Sequence, residues 1–196
     1  PWNQYACQGC GLPLPGGDDP RCGACLARPA IYDAVLSPLV FGFPVNRLIH
    51  RFKFQADFAY GRVLADILAE QVRSSGTDVP ALLIPVPMHR WRLLRRGLNP
   101  AFELSNRLAA VLDIPLAIHD LRRTRHTPAH SGLTASHRRK NLKGAFEWRG
   151  ASLKGQHLAL VDDVITTGTP IAECTRALRR AGAGTLSAWV CARAVK

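Results

Sequence analysis

Apolar residues in the first half of the chain recur at the spacing of helices that face a core. Over residues 44–52 and again over residues 63–72, apolar side chains lie three or four positions apart, which predicts two amphipathic helices. The second helix should end near Gly76, because glycine readily adopts the left-handed conformation found after helix C-termini. A third helix is predicted over residues 99–112, with an asparagine cap followed by a first-turn proline.

Short apolar runs between these helices predict strands. They are residues 31–41, 82–84, 115–118, 158–161 and 186–191. Residues 171–180 predict a further helix, whereas residues 120–140 mix arginine, histidine, threonine and proline without periodicity and predict a loop. Because strands and helices alternate, the expected fold class is α/β, a mostly parallel sheet with flanking helices formed by residues 31–196.

Four of the six cysteines lie in a separate amino-terminal module, predicted over residues 1–30. They form two Cys-x-x-Cys pairs, Cys7 with Cys10 and Cys22 with Cys25. Two such pairs can enclose one tetrahedral metal ion, which predicts a structural zinc site whose metal supplies folding energy that the Gly- and Pro-rich loop cannot. Disulfides and a redox Cys-x-x-Cys are the alternatives. Cys174 and Cys191 are expected to be buried structural thiols.

The charge of the chain is strongly basic and clustered. It has 26 Lys and Arg against 14 Asp and Glu, a formal net charge of +12. Residues 88–98 contain four arginines and no acid, and residues 121–143 contain seven basic residues and no acid. Such clusters favour polyanionic partners, through loops that close on phosphates or a nucleic-acid backbone. The alternative is a solvated face that keeps the protein in solution.

Residues 158–170 carry the most informative motif, Leu-Ala-Leu-Val-Asp-Asp-Val-Ile-Thr-Thr-Gly-Thr-Pro. An apolar strand brings Asp162 and Asp163 to its carboxyl end, where open α/β sheets bind ligands. The threonine turn around Gly168 then enters a helix, whose first N–H groups and dipole favour a phosphate. Carboxylates can accept hydrogen bonds from ribose hydroxyls, so the strand end predicts a ribose 5-phosphate site. The alternative is an ordinary strand-to-helix turn capped by these residues.

The same motif, Asp-Asp-x-x-Thr-Thr-Gly-Thr, resembles the phosphoribosyl pyrophosphate (PRPP) binding motif of type I phosphoribosyltransferases. Other motifs narrow the resemblance to the ComF family (competence protein ComF and GntX-like proteins), and they follow in order over nearly the whole chain. They are the two Cys-x-x-Cys pairs, Arg-Phe-Lys-Phe at 51–54, Pro-Val-Pro at 85–87, Arg-Arg-Gly-Leu-Asn at 95–99 and Arg-Arg-Lys-Asn-Leu-Lys-Gly-Ala-Phe at 138–146.

This resemblance implies a zinc-finger-bearing, phosphoribosyltransferase-like protein of the bacterial cytoplasm. In type I enzymes the two acids hold the ribose hydroxyls, the threonine turn holds the 5-phosphate, and Mg²⁺ accompanies PRPP. The implied PRPP-binding residues are Asp162, Asp163, Val164, Ile165, Thr166, Thr167, Gly168 and Thr169. The loop after Pro85 resembles the pyrophosphate loop, and residues 120–140 resemble the mobile loop that covers PRPP.

Two functions from different classes follow. The first is a PRPP-binding protein of natural competence, which takes part in DNA uptake and transformation and handles incoming single-stranded DNA, with competence or recombination proteins as partners. Six basic residues are candidate contacts to pyrophosphate or DNA: Arg90, Arg95, Arg96, Arg138, Arg139 and Lys140. The second is an active phosphoribosyltransferase of nucleotide metabolism, whose acceptor and catalytic residues the motifs do not name. No apolar stretch is long enough to span a bilayer, which predicts a cytoplasmic protein without membrane insertion.

Overall fold

The computed structural model of the chain describes residues 1–16, 20–125 and 142–195. Within these ranges it contains six helices and seven strands. The helices are α1 (Gly23–Ala27), α2 (Val45–Gln55), α3 (Phe58–Ser74), α4 (Arg90–Arg96), α5 (Pro100–Leu112) and α6 (Thr169–Arg180). The strands are β1 (Ala34–Leu36), β2 (Leu39–Val40), β3 (Leu82–Pro85), β4 (Leu121–Arg123), β5 (Phe146–Trp148), β6 (Leu158–Ile165) and β7 (Leu186–Arg193).

Five of these strands form one parallel sheet. Its centre is the pair β6 and β7, in which Leu158 lies opposite Leu186 and Ile165 lies opposite Arg193. β3 flanks β6 on one side, while β1 and β2 pair in succession with β7 on the other. β4 and β5 form a separate antiparallel pair. The predicted α/β class with a mostly parallel sheet is confirmed.

Helices cover both faces of the sheet, because each has one apolar side. On one face α2, α3 and α5 bury Ile49, Leu68 and Leu104 around Trp189 of β7. On the other face α6 buries Ile171. Each such side chain contributes about 1.5–3 kcal/mol of burial free energy, so the packing of these faces fixes the central strands. Cys174 and Cys191 are buried, as expected.

A glycine fixes how closely α3 approaches α2. A Cβ atom at Gly61 would lie only 2.6 Å from a ring carbon of Phe52, the fully buried phenylalanine of α2. The absence of a side chain at Gly61 therefore lets the two helices pack against each other through this ring. As a result α2 is held with Phe52 inward and its opposite side outward.

The structure differs from the sequence-based elements in several places. Residues 31–41 form two short strands rather than one, separated at Pro38, which has no N–H group for the ladder. Residues 115–118 form only a single bridge, between Leu116 and Leu83. The basic segment after Pro85, expected to be a loop, contains helix α4. Of the expected loop at 120–140, residues 121–123 form β4 and residues 126–140 lie outside the described residues.

The amino-terminal segment is hydrogen-bonded to the edge of the sheet. The N–H of Val35 in β1 donates to the carbonyl of Gln8 at 2.8 Å, and the Asn3 side-chain amide donates to the Ser37 carbonyl at 3.1 Å. The division into a cysteine module (1–30) and an α/β domain (31–196) stays a prediction, with hydrogen bonds across its boundary. Among the described residues, no helix has both the length and the apolar character required to cross a membrane.

Candidate functional site

The two acids of the strand motif lie on a part of β6 that extends past its neighbour. β3 ends at Pro85, opposite Val161, whereas β6 continues to Ile165 alongside β7. Asp162 and Asp163 therefore lie within the strand. The sequence had predicted that the strand ends at residue 161, which would place both acids after it. Their position is the carboxyl end of a parallel sheet, beside the end of β3, where α/β folds form their ligand crevices.

Asp163 forms an ion pair with a lysine that the sequence analysis did not select. The Lys53 ammonium nitrogen lies 2.8 Å from Asp163 Oδ1, and the two side chains are only 20% and 10% exposed. Lys53 belongs to the Arg-Phe-Lys-Phe motif, next to the buried Phe52 of α2. That motif was the only signal, because hydrophobic periodicity does not record a contact between residues so distant in the chain.

Asp162 has a different environment from its neighbour. Its Oδ1 accepts a hydrogen bond from the Asp163 N–H at 2.9 Å. Burial and then the negative charge of Asp163 together raise the pKa of Asp162 to about 7, while Lys53 and the hydrogen bond from the Asp163 N–H act in the opposite direction. At neutral pH, Asp162 can therefore exchange a proton and act as either donor or acceptor toward a ligand hydroxyl.

The turn after β6 has the backbone shape of an anion-binding helix start. Gly168 is the N-cap of α6 and adopts the left-handed conformation, with φ of 69°. The hydroxyls of Thr167 and Thr169 lie 3.0 Å apart, and Thr166 and Thr167 are exposed to solvent. The N–H groups of the first turn of α6 and these hydroxyls can together bind a phosphate. Val164 is partly buried and Ile165 is buried, and both connect the two acids to the turn.

The six candidate basic residues are not one group in the structure. Arg96 is close to the acids: burial lowers the pKa of Arg96, and the charge of Asp163 partly offsets this effect. Arg90 instead lines a separate cavity of about 660 Å³ with Phe102 and His119. Arg95 is exposed on α4. The remaining three, Arg138, Arg139 and Lys140, lie outside the described residues.

The four amino-terminal cysteines come together as their spacing predicts. Their sulfur atoms all lie within 4.8 Å of one another, and Cys10 Sγ lies 3.7 Å from Cys22 Sγ. A tetrahedral ion with metal–sulfur bonds of about 2.3 Å requires sulfur atoms about 3.8 Å apart, so this arrangement fits a four-thiolate metal site. All four are free cysteines.

The thiols of this cluster differ in acidity. Burial raises the pKa of Cys10 to about 11, despite a hydrogen bond from the Leu12 N–H. For Cys7 burial is outweighed by backbone N–H groups, chiefly that of Cys22 at 3.2 Å from Cys7 Sγ, which lower its pKa to about 7. Such N–H groups pointing at sulfur stabilise thiolates, the form that binds metal.

Arg193 at the end of β7 joins the cysteine module to the turn after β6. Its Nε donates to the Cys10 carbonyl at 2.8 Å, and its Nη1 donates to the carbonyls of Ile165 and Thr166 at 3.0 and 2.7 Å. The module and the turn are thus parts of one hydrogen-bonded unit.

The fold is that of the type I phosphoribosyltransferases, and the Phosphoribosyl transferase domain family matches residues 93–194. Competence protein F of Haemophilus influenzae is 38% identical over 180 residues, 89% of this chain and 79% of the relative. DNA utilization protein YhgH of Escherichia coli O157:H7 is 34% identical over 191 residues, 95% of this chain and 83% of the relative. The chain therefore belongs to the ComF family, as its motifs indicated.

Among solved structures, orotate phosphoribosyltransferase from Aeropyrum pernix is similar at 26% sequence identity. The match covers 70% of this chain and 61% of that chain, with a TM-score of 0.43.

Proposed function

We propose that this chain is a PRPP-binding, phosphoribosyltransferase-like protein that acts in natural competence, in the handling of incoming single-stranded DNA. The observation that carries the proposal is the carboxyl end of β6, where two acids lie next to a turn whose N–H and hydroxyl groups can bind a phosphate. The names of the relatives, Competence protein F and DNA utilization protein, support the biological role.

In this proposal PRPP lies across the end of β6. Asp162 and Asp163 accept hydrogen bonds from the ribose hydroxyls, and the N–H groups and hydroxyls of Thr166–Thr169 hold the 5-phosphate. A carboxylate has two acceptor oxygens, so Asp163 can keep Lys53 on Oδ1 and use Oδ2 for ribose. Val164 and Ile165 connect the two acids to the threonine turn. Mg²⁺ would neutralise the negative charge of the pyrophosphate.

The ion proposed for the four cysteines is zinc, because a closed set of four thiolates is typical of structural zinc sites. The site leaves no position for a substrate, so its role is to fold the amino-terminal module. We propose the cytoplasm as the compartment, since reducing conditions there keep the thiols available to the metal.

The DNA part of the proposal rests on the basic charge. Arg90, Arg95 and Arg96 of α4, together with Arg138, Arg139 and Lys140, are proposed contacts to pyrophosphate or to the DNA backbone. Competence or recombination proteins are the proposed macromolecular partners. Phosphate neutralisation releases counterions, so affinity for DNA should fall steeply as salt is raised.

A second candidate function is catalytic, favoured by the cavity of about 660 Å³ beside the loop after β3. That cavity could admit an acceptor near the pyrophosphate loop. In the reaction, the bond between ribose C1 and the pyrophosphate oxygen would break, a bond from C1 to the acceptor would form, and the acceptor would lose a proton. Release of pyrophosphate on addition of an acceptor would test this function.

Calorimetric titration with PRPP, with and without Mg²⁺, tests the proposed site. We expect Mg²⁺-dependent binding by the wild type and its loss in the Asp162→Asn/Asp163→Asn variant. Asp66→Asn is the matched control, because it removes an exposed carboxylate of α3 that pairs with Arg107 of α5. Absence of binding by the wild type, or equal binding by the double variant, would refute the PRPP part of the proposal.

A further inference from the structure

The outward side of α2 carries aromatic and basic residues together. With Ile49 and Phe52 buried, Arg47, His50, Arg51 and Phe54 lie on the exposed side at helical spacing. We call these four residues, with Phe43 before the helix and Arg96 of α4, the basic-aromatic face. Two large rings on it are turned to solvent, with Phe43 74% and Phe54 60% exposed.

Each exposed ring of this face has a cation beside it. The Arg47 guanidinium lies 5.3 Å from the centre of the Phe43 ring, and the Arg96 guanidinium lies 4.7 Å from that of Phe54. The His50 ring is also 4.7 Å from the Phe54 ring. Cation–π contacts of this kind orient the rings without burying them. The face therefore presents oriented aromatic surfaces next to positive charges.

A cavity of about 540 Å³ opens on this face, and none of the described residues that line it is a carboxylate. Phe54, His50, Asn46 and Arg96 contribute to it, as does Lys53, the partner of Asp163. A volume in this range accommodates a small planar group. Two acids contact cations of this surface: Asp57 pairs with Arg51 at 3.2 Å, and Asp163 pairs with Lys53 at 2.8 Å. The charge of the face thus favours an anion that also carries planar rings.

Among polyanions, single-stranded nucleic acid fits these features best. Its unpaired bases can stack on exposed phenylalanines while arginines contact the phosphates. In a duplex the bases are already stacked on each other, so the rings would have no base to contact. An acidic peptide would use the arginines but gain nothing from the two exposed rings.

We propose that the basic-aromatic face binds single-stranded DNA, with bases stacked on Phe43 and Phe54 and phosphates on Arg47, Arg51 and Arg96. The proposal rests on the DNA-handling role proposed above and assigns that role to a surface centred on α2. Because Lys53 belongs both to the cavity lining and to the acid pair, the bound strand would pass beside the proposed PRPP site.

Fluorescence anisotropy with a labelled oligothymidylate tests this surface. We expect Phe43→Ala/Phe54→Ala to lower affinity at least about tenfold, because two bases would lose the aromatic rings on which they stack. Phe43→Trp/Phe54→Trp should restore binding. Phe58→Ala, which removes a comparably exposed ring at the start of α3, should leave affinity unchanged. Arg47→Gln/Arg51→Gln should reduce the salt dependence by about one unit of slope per lost phosphate contact.

The competitors and the PRPP titration separate the outcomes. Unlabelled duplex DNA and polyglutamate should compete far more weakly than oligothymidylate, and the alanine double variant should bind PRPP like the wild type. Wild-type affinity in the alanine variant would overturn this surface and leave the DNA-handling role standing. Failure of the wild type to bind oligothymidylate would overturn both. Equal competition by polyglutamate would exclude base stacking.

Discussion

Two regions of this chain gather groups that repel one another once ionised, and they resolve the repulsion differently. At the end of β6, the Asp162–Asp163 pair has Lys53 at 2.8 Å as a cation supplied by the protein. In the amino-terminal module, four sulfur atoms lie within 4.8 Å, and the neighbours that stabilise thiolate include backbone N–H groups. The positive charge that four thiolates need would come from a bound metal.

This difference separates an adaptable site from a structural one. The Asp163 carboxylate is already paired with Lys53 before any ligand arrives, so a ligand can join and leave without the strand losing its structure. The cysteine module has few apolar side chains to hold it, so its ion would form part of the fold. The carboxylate region is accordingly suited to binding and the cysteine region to support.

The largest expected effect comes from removing the metal. Cys25→Ser removes one of the four ligands and should abolish stoichiometric zinc binding. The effect on folding should be large, because metal binding in such modules contributes about 10 kcal/mol or more of folding free energy. Hydrogen exchange should then show lost protection in residues 1–16 and 20–30. Cys191→Ala, which removes a thiol remote from the cluster, should retain the metal. Full protection in a metal-free protein would show that the module folds without the ion.

Next in size is the loss of the cation from the carboxylate pair. Lys53→Met leaves Asp163 as a nearly buried charge without this partner and should lower the free energy of unfolding by about 3 kcal/mol. Adding Asp163→Asn should recover most of the loss. Arg107→Met, which breaks the exposed pair with Asp66, should cost less than about 1 kcal/mol. Urea unfolding measures all four proteins, and equal losses for Lys53→Met and Arg107→Met would contradict the assigned importance of Lys53.

A smaller effect should appear in the pH dependence of stability. The pKa of Asp162 is raised from 3.8 to about 7, first by burial and then by Asp163. The folded protein therefore holds this proton more tightly than the unfolded chain, so the stabilisation is fully present below about pH 3.8 and is lost progressively as pH rises to about 7. Asp162→Asn should remove this pH dependence. Above pH 7 its free energy of unfolding should exceed that of the wild type by on the order of 2 kcal/mol. Parallel curves of unfolding free energy against pH for the two proteins would be the contrary result.

The smallest effect should come from the residue that connects the two regions. Arg193→Gln removes the hydrogen bonds that join the Cys10 carbonyl to the carbonyls of Ile165 and Thr166. The turn would be less ordered, and PRPP affinity should fall about tenfold, equivalent to about 1.4 kcal/mol. Arg149→Gln, which breaks an exposed pair with Glu147, is the control. Calorimetry that shows no difference between these variants would mean that the turn holds its shape without Arg193.

Local features were the ones predictable from sequence. The strand, acids, glycine turn and helix of residues 158–180 are contiguous, and the two cysteine pairs carry their geometry in their spacing, so both were anticipated. The Lys53–Asp163 pair was not, because it joins a helix to a strand distant in the chain. Helix α4 was missed because Pro85, Pro87 and a run of arginines hide its short apolar pattern. The basic-aromatic face likewise depends on Arg96 reaching α2, a contact set only by tertiary packing.

The bonds of Arg193 have a consequence for dissecting the chain. Cutting at residue 30 would isolate the α/β part by sequence, yet it would remove the Cys10 carbonyl from Arg193 and the Gln8 carbonyl from Val35. Truncation would thereby free an arginine beside the turn and unpair the edge of β1. A shortened protein would therefore have an altered structure beside the proposed ligand site. Point substitutions in the intact chain are the better way to separate the roles of the two parts.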